Sequence, residues 1–237
     1  MRIILRNVAW LRSLYHFARA LTAAAFDTPA RSRSKLDRLH SVSTDVWQYS
    51  TVGQSGKDRF LRESRMLDRV RNGQLFPRAL EIGCHEGAFT EYLASRCGSL
   101  IAVDFSPVVL ERARHRRNWE NVEFQNFDLR TEAVPGTFDL IVATSVLETY
   151  YRPGDVRAAK ERLIAGLRTG GYLLLGNVRG NDVFESSRWA KWLIRGGVRT
   201  SNCFSADRRL SLITQEMDDL YVDTLFHRRD APEGSTR

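Results

Sequence analysis

From Arg78 onward two patterns alternate along the chain. Short apolar runs at Ala79–Ile82, Ser99–Asp104, Val122–Asn126, Phe138–Ala143 and Tyr172–Gly176 read as strands. Between them apolar residues recur at helical spacing, through Phe89, Tyr92 and Leu93, after Pro107, and from Asp155 to Leu167. Pro107 falls early in its helix, where the missing N–H costs nothing. Gly-Gly at 170–171 ends the last of these helices. Apolar strands alternating with helices predict an α/β domain, a doubly wound, mostly parallel sheet covered on both faces.

The flanks are less regular. Residues 183–195 and 206–217 carry a helical pattern, Leu220–His227 reads as a strand, and residues 230–237 form a polar tail expected to be disordered. Upstream, Asp58–Val70 predicts a helix with an apolar stripe of Phe60, Leu61, Leu67 and Val70, stopped by Asn72-Gly73. Residues 45–53 are aromatic and loop-like, and Thr28–Ser43 is a Ser/Arg-rich connector. Residues 1–26 space Ile3, Ile4, Val8, Leu11, Leu14, Tyr15, Ala18 and Leu21 as an amphipathic basic helix, interrupted by Arg6, Arg12 and Arg19. Those charges break any span able to cross a bilayer, and no signal peptide with a clear cleavage site follows. Such a helix commonly covers part of a domain; its charge also permits peripheral contact with an anionic membrane. The expected division is an extension over 1–44, a domain over 45–229 and a tail over 230–237.

Composition changes this picture little. A chain of 237 residues, 43% hydrophobic, can bury one sizeable core. The net charge of +8 is spread along the chain, apart from clusters at 31–38 and 112–117 that solvated helix faces explain. Three cysteines, Cys84, Cys97 and Cys203, show no paired or metal-ligand spacing, so a stapled secreted fold is disfavoured and a reducing, cytoplasmic compartment is expected.

The candidate chemistry lies where strands end. Strand one runs into Gly83-Cys-His-Glu-Gly87 and then a helix, a geometry that brings backbone N–H groups to one point and suits the anionic end of a ligand. The spacing is E-x-G-x-H-x-G from Glu81 to Gly87. A dinucleotide fingerprint needs glycine where His85 stands and again at Ala88, so a nicotinamide oxidoreductase is disfavoured. An ordinary strand–turn–helix would read the same on this stretch alone. Cys84 lies in the turn as a small residue that packing requires, not as a nucleophile. Strand two ends in Asp104, followed by Phe105; an acid there can accept both hydroxyls of a ribose. Strand three leads to Phe127-Asp128-Leu129, where a carboxylate can meet an adenine amino group with an apolar side chain against the ring. Strand four ends in Thr144 and runs on through Glu148, Tyr150 and Tyr151, at the mouth where a reacting group would stand. Each acid alone is more often a cap; together, at the carboxyl ends of successive parallel strands, they form what a ligand crevice demands.

With these features in order, residues 79–177 resemble the class I S-adenosylmethionine-dependent methyltransferases. Within that superfamily, Ala79–Glu91, Phe138–Val142 and Gly170-Gly171 are most similar to the nodulation protein S group of small-molecule methyltransferases. The resemblance implies a Rossmann-like sheet of seven strands with the last antiparallel, and S-adenosylmethionine as cofactor. It implies cofactor contacts from Glu81, Gly83, Cys84, His85, Gly87, Asp104, Phe105, Asp128, Leu129 and Thr144. The chain departs from the pattern at His85 and in showing only one clear strand after strand five. A strand hidden near Val198–Phe204, or a six-stranded sheet, would each account for the latter.

The expected activity is methyl transfer to N or O of a small molecule, a saccharide or amino sugar under the subgroup resemblance. Glu148, Tyr150, Tyr151 and His85 are candidates for acceptor chemistry, with Glu148 as base or as an ordinary helix-start acid. Related enzymes often place a histidine where Thr149 stands, so that route is closed. Trp47 and Tyr49 are candidates to close over the site or simply to pack the extension. Two rivals remain. One is a nucleic-acid methyltransferase, suggested by the charge but lacking the Asn/Asp-Pro-Pro-aromatic loop and any Pro-Cys pair, so nucleic acid is disfavoured as a partner. The other is a cofactor-binding partner subunit without catalysis.

Overall fold

The computed structural model describes residues 28–42, 53–116, 118–147, 153–179 and 197–230. Elements are numbered within those residues. In chain order they are α1 (Pro29–Val42), α2 (Gly53–Arg71), β1 (Phe76–Ile82), α3 (Thr90–Ala94), β2 (Cys97–Asp104), α4 (Pro107–Arg116), β3 (Val122–Asn126), β4 (Phe138–Thr144), α5 (Pro153–Gly166), β5 (Leu167–Val178), α6 (Gly197–Ser205), β6 (Leu210–Met217) and β7 (Tyr221–Arg228). They build a seven-stranded sheet in the order β3-β2-β1-β4-β5-β7-β6. Strands β1 to β5 are parallel, and β7 runs antiparallel between β5 and β6.

Alternate strand residues enter opposite cores, as the pleat requires. Leu80, Ile82, Ile141, Ala143, Leu173, Leu175 and Phe226 face a cluster completed by Val156, Ala159, Leu163 and Ile164 of α5 and Phe204 of α6. Ala79, Leu140, Val142, Leu174 and Leu225 face the other, completed by Phe60, Met66 and Leu67 of α2 and Leu93 of α3. Burial on both faces is why β1, β2, β4 and β5 read as apolar runs in the sequence.

Several elements differ from the sequence pattern. Residues 206–217, expected to be helical, hold the edge strand β6, with a register shift between Leu212 and Thr214. Val198–Phe204, the place considered for a hidden strand, lies in α6. That helix buries Gly197, Thr200, Ser201 and Phe204, a helical stripe in which Phe204 alone is strongly apolar, too little for a hydrophobic period to mark. In α2 the buried face is Arg59, Phe60, Glu63, Ser64, Met66 and Leu67, while Leu61 is 43% exposed. The stretch read as a connector, Thr28–Ser43, contains α1. The expected helices over 1–26 and 183–195, and the tail after Asp230, lie outside the described residues. Among the described residues no helix is long and apolar enough to cross a membrane.

Candidate active site

The register of the sheet aligns the carboxyl ends of its strands. Ile82 pairs with Val103 and with Ala143, Asp104 with Asn126, and Thr144 with Gly176. The strand order reverses between β1 and β4, and the crevice outside such a switch point is where doubly wound sheets take their ligands. The glycine turn leaves β1 on one side of that point, and the residues after Thr144 leave β4 on the other.

The turn has a backbone that few residues tolerate. Gly83 and Gly87 lie at φ +74° and +80°. A Cβ on Gly83 would also stand 2.5 Å from Cγ2 of Val146, so the start of the post-β4 segment rests on this glycine. His85, in the position where glycine was the alternative, takes φ +51° as an L-residue. Its N–H donates to Asp104 Oδ2 at 3.1 Å, and its ring meets that of His40 edge-on at 4.9 Å. His85 therefore faces α1, the helix laid over the turn. The same helix brings Asp37 to the Ser106 hydroxyl, and Arg112 ties the two by donating to the His40 carbonyl and to Glu86. His40, Asp37, Ser106 and Arg112 were not found by sequence reasoning, because α1 carried no apolar period to mark it as a packed helix.

Two acids define the floor. Glu81 is buried and accepts the Thr90 hydroxyl at 2.6 Å. Burial pushes its carboxyl up to about 7, with the Thr90 bond opposing and the nearby Asp104 adding. Asp104 accepts the Ser106 N–H at 2.9 Å and that of His85; burial raises it to about 6 despite these bonds. Two carboxylates that burial holds back from ionising are poised for a ligand that donates hydrogen bonds or carries positive charge. Cys84 is buried and its thiol raised well above its ordinary value by burial and then by Glu81, which leaves it no nucleophilic role.

The end of β3, where the sequence leads one to expect an adenine contact, differs from that expectation in one respect. The Asp128 carboxylate is gripped by Arg130, which donates its backbone N–H and Nε to Oδ1 at 3.0 and 3.1 Å and Nη2 to Oδ2 at 3.1 Å. A carboxylate offers about four acceptor positions, so Oδ2 keeps one for a ligand. Phe127 and Leu129 are buried in the hydrophobic cluster, whereas Phe105 stays partly open, with the Arg130 guanidinium 5.4 Å from its ring centroid. Arg130 joins the candidate site through this geometry alone. Thr144 ends β4 beside Gly176, and the next residue, Ser145, lies at φ +55°. Glu148, Tyr150 and Tyr151, with Thr149 among them, fall outside the described residues, as do Trp47 and Tyr49.

The strand order, the strained turn after β1 and the buried acid closing β2 are those of a class I S-adenosylmethionine-dependent methyltransferase. The family model of nodulation protein S (NodS) matches residues 28–198. Nodulation protein S of Bradyrhizobium diazoefficiens is 34% identical over 153 residues, covering 64% of this chain and 71% of that protein. That of Rhizobium tropici is 30% identical over 166 residues, covering 65% and 69%. Among solved structures, the N-methyltransferase NodS from Bradyrhizobium japonicum WM9, in complex with S-adenosyl-L-homocysteine, superposes with a TM-score of 0.68 at 23% identity, over 84% of this chain and 98% of that one. The chain belongs to the nodulation protein S family. It is an enzyme that uses S-adenosylmethionine as methyl donor.

Proposed function

We propose that the enzyme methylates a nitrogen of a small molecule, a saccharide bearing a free amine. The observation that carries this is the reach of the family match, 28–198, which spans the cofactor turn and also the post-β4 segment where an acceptor would stand. The related NodS of known structure is an N-methyltransferase. More distant relatives include a malonyl-[acyl-carrier protein] O-methyltransferase and a phosphoethanolamine N-methyltransferase, so superfamily membership by itself leaves the acceptor open.

The chemistry of the chain favours an amine. When bound, the cofactor supplies a methyl group already activated on a sulfonium. The residues then have to bind, orient and exclude water. Gly83 and Gly87 make room for its methionyl part, Glu81 answers its amino group, Asp104 takes the ribose hydroxyls, and Phe105 with Asp128 takes the adenine. A hydroxyl acceptor needs a base in the transition state, whereas an amine can shed its proton to water before transfer. Thr149 stands where related enzymes often have a histidine, which suits the less demanding acceptor. Glu148, Tyr150 and Tyr151 supply the groups to bind and orient a sugar amine.

Purified protein should form S-adenosylhomocysteine with glucosamine or its short oligomers and not with their fully N-acetylated counterparts. Glu148→Gln and Tyr151→Phe should lower turnover more than cofactor affinity. Turnover on phenols alone, or on RNA with steep salt dependence, would overturn the assignment.

A further inference from the structure

The buried face of α2 carries ionisable side chains where an apolar face would serve stability as well or better, and burial pushes the Glu63 carboxyl well above its ordinary value. Arg59 and Glu63, one helical turn apart, are both fully buried, with Arg59 Nε donating to Glu63 Oε1 at 2.9 Å. Asp223 of β7 lies 3.6 Å from the same nitrogen and accepts Arg62 Nε at 2.7 Å. The Arg59 guanidinium sits 4.4 Å over the Tyr221 ring. Gly176, paired with Asp223 at the end of β5, makes the space: a Cβ there would lie 2.3 Å from both Arg59 and Glu63.

What this cluster adds beyond cohesion is direction. Arg59 Nη1 extends from it to Ser145 Oγ at 2.7 Å. Ser145 is held from its other side as well, its N–H donating to the Gly176 carbonyl at 2.6 Å. It sits in the left-handed region at φ +55°, a conformation an L-serine keeps only where its surroundings impose it. The next side chain, Val146, fills the space above Gly83. A chain of contacts therefore runs from α2 through Arg59, Ser145 and Val146 to the cofactor turn, across the switch point of the sheet.

We infer that Arg59 is a positioning residue for methyl transfer: through Ser145 it fixes the start of the acceptor segment against the glycine turn, and so sets the line between donor and acceptor. The cluster acts without touching either ligand. In-line displacement is sensitive to such placement, and a misplacement of about 1 Å can cost around a hundredfold in rate. The inference rests on the proposed reading in that the acceptor is taken to bind beside the residues after β4.

The test uses Ser145, so that the Arg59, Glu63 and Asp223 side chains and their mutual contacts stay in place. Ser145→Gly suits the positive φ and folds, but offers Arg59 no acceptor. Ser145→Asn tolerates the same φ and restores an oxygen. Ser145→Gly should keep the dissociation constant for S-adenosylhomocysteine within about twofold and lose roughly tenfold or more in kcat on glucosamine oligomers, with Ser145→Asn recovering most of it. Wild-type kcat in the glycine variant would overturn the inference, since glycine satisfies every purely conformational demand at this site. If the wild-type protein itself leaves those oligomers untouched, the acceptor assignment has failed, and amide hydrogen exchange over residues 144–147 with S-adenosylhomocysteine bound decides the inference instead. Faster exchange in Ser145→Gly, reversed in Ser145→Asn, supports it; equal exchange in all three proteins sinks it.

Discussion

Asp104→Asn is the most informative single change. In the structure each oxygen of Asp104 already accepts one backbone N–H, Ser106 at 2.9 Å on Oδ1 and His85 at 3.1 Å on Oδ2. About two acceptor positions remain, enough for the two hydroxyls of a ribose. An asparagine keeps one oxygen and turns an NH2 toward a donor, either His85 or a hydroxyl. At least one hydrogen bond to a charged group is lost, worth about 1.5–3 kcal/mol. That corresponds to roughly a 10- to 150-fold weaker dissociation constant for S-adenosylhomocysteine, read by titration calorimetry at pH 7.5. The wild-type pH profile gives a second readout. Burial raises Asp104 to about 6, and the ribose donors favour the ionised form. Affinity should therefore rise as pH passes upward through about 6, and again through about 7 as Glu81 ionises toward the cofactor's amino group; the lower step should be missing in Asp104→Asn. A folded variant with wild-type affinity at pH 7.5, or a wild-type profile without that step, would refute the role assigned to Asp104.

Other outcomes follow from the buried groups. Glu81 is held at about 7 against 4.5 in the unfolded chain, so the unfolded state loses its proton first and stability falls as pH rises from about 4.5 to 7. Glu81→Gln should thus be more stable than wild type by about 3 kcal/mol in denaturant melts at pH 8, with little difference at pH 4.5, while binding the cofactor more weakly; equal stability at pH 8 would contradict the burial argument. Gly176→Ala puts a Cβ 2.3 Å from Arg59 and Glu63 and should cost about 3 kcal/mol or more in the same melts by breaking a buried ion cluster. Burial pushes the Cys97 thiol up to about 12 and the Cys84 thiol well above its ordinary value, so neither should be alkylated at pH 8 in the folded protein. Mass spectrometry should find label on Cys203 alone until denaturant is added.

The half of the sheet that carries the candidate site was legible in the chain. β1, β2, β4 and β5 are covered on both faces, so their residues had to be apolar almost without interruption, and such runs are legible. The turn was legible too, because a chain that must reverse sharply above a strand needs the backbone freedom of Gly83 and Gly87. Asp104 and Asp128 could be placed because the position of a residue at a strand end follows from the strand itself. The other elements depended on contacts between distant parts of the chain. β6 has a single neighbour and buries only Leu210 among its residues, so Leu212, Ile213 and Met217 were free to fall at a helix-like spacing. α6 packs through Gly197, Thr200 and Ser201 as well as Phe204, with Ser201 accepting from the buried Asn177, so one aromatic is all that its hydrophobic pattern shows. The face of α2 is ionic for the same reason that it escaped notice. Arg59 and Glu63 can be buried there only because Asp223, Tyr221, Ser145 and the open space at Gly176 arrive from distant parts of the chain. A charge is read from sequence as solvent-facing; its burial is set by partners that only the folded chain brings together.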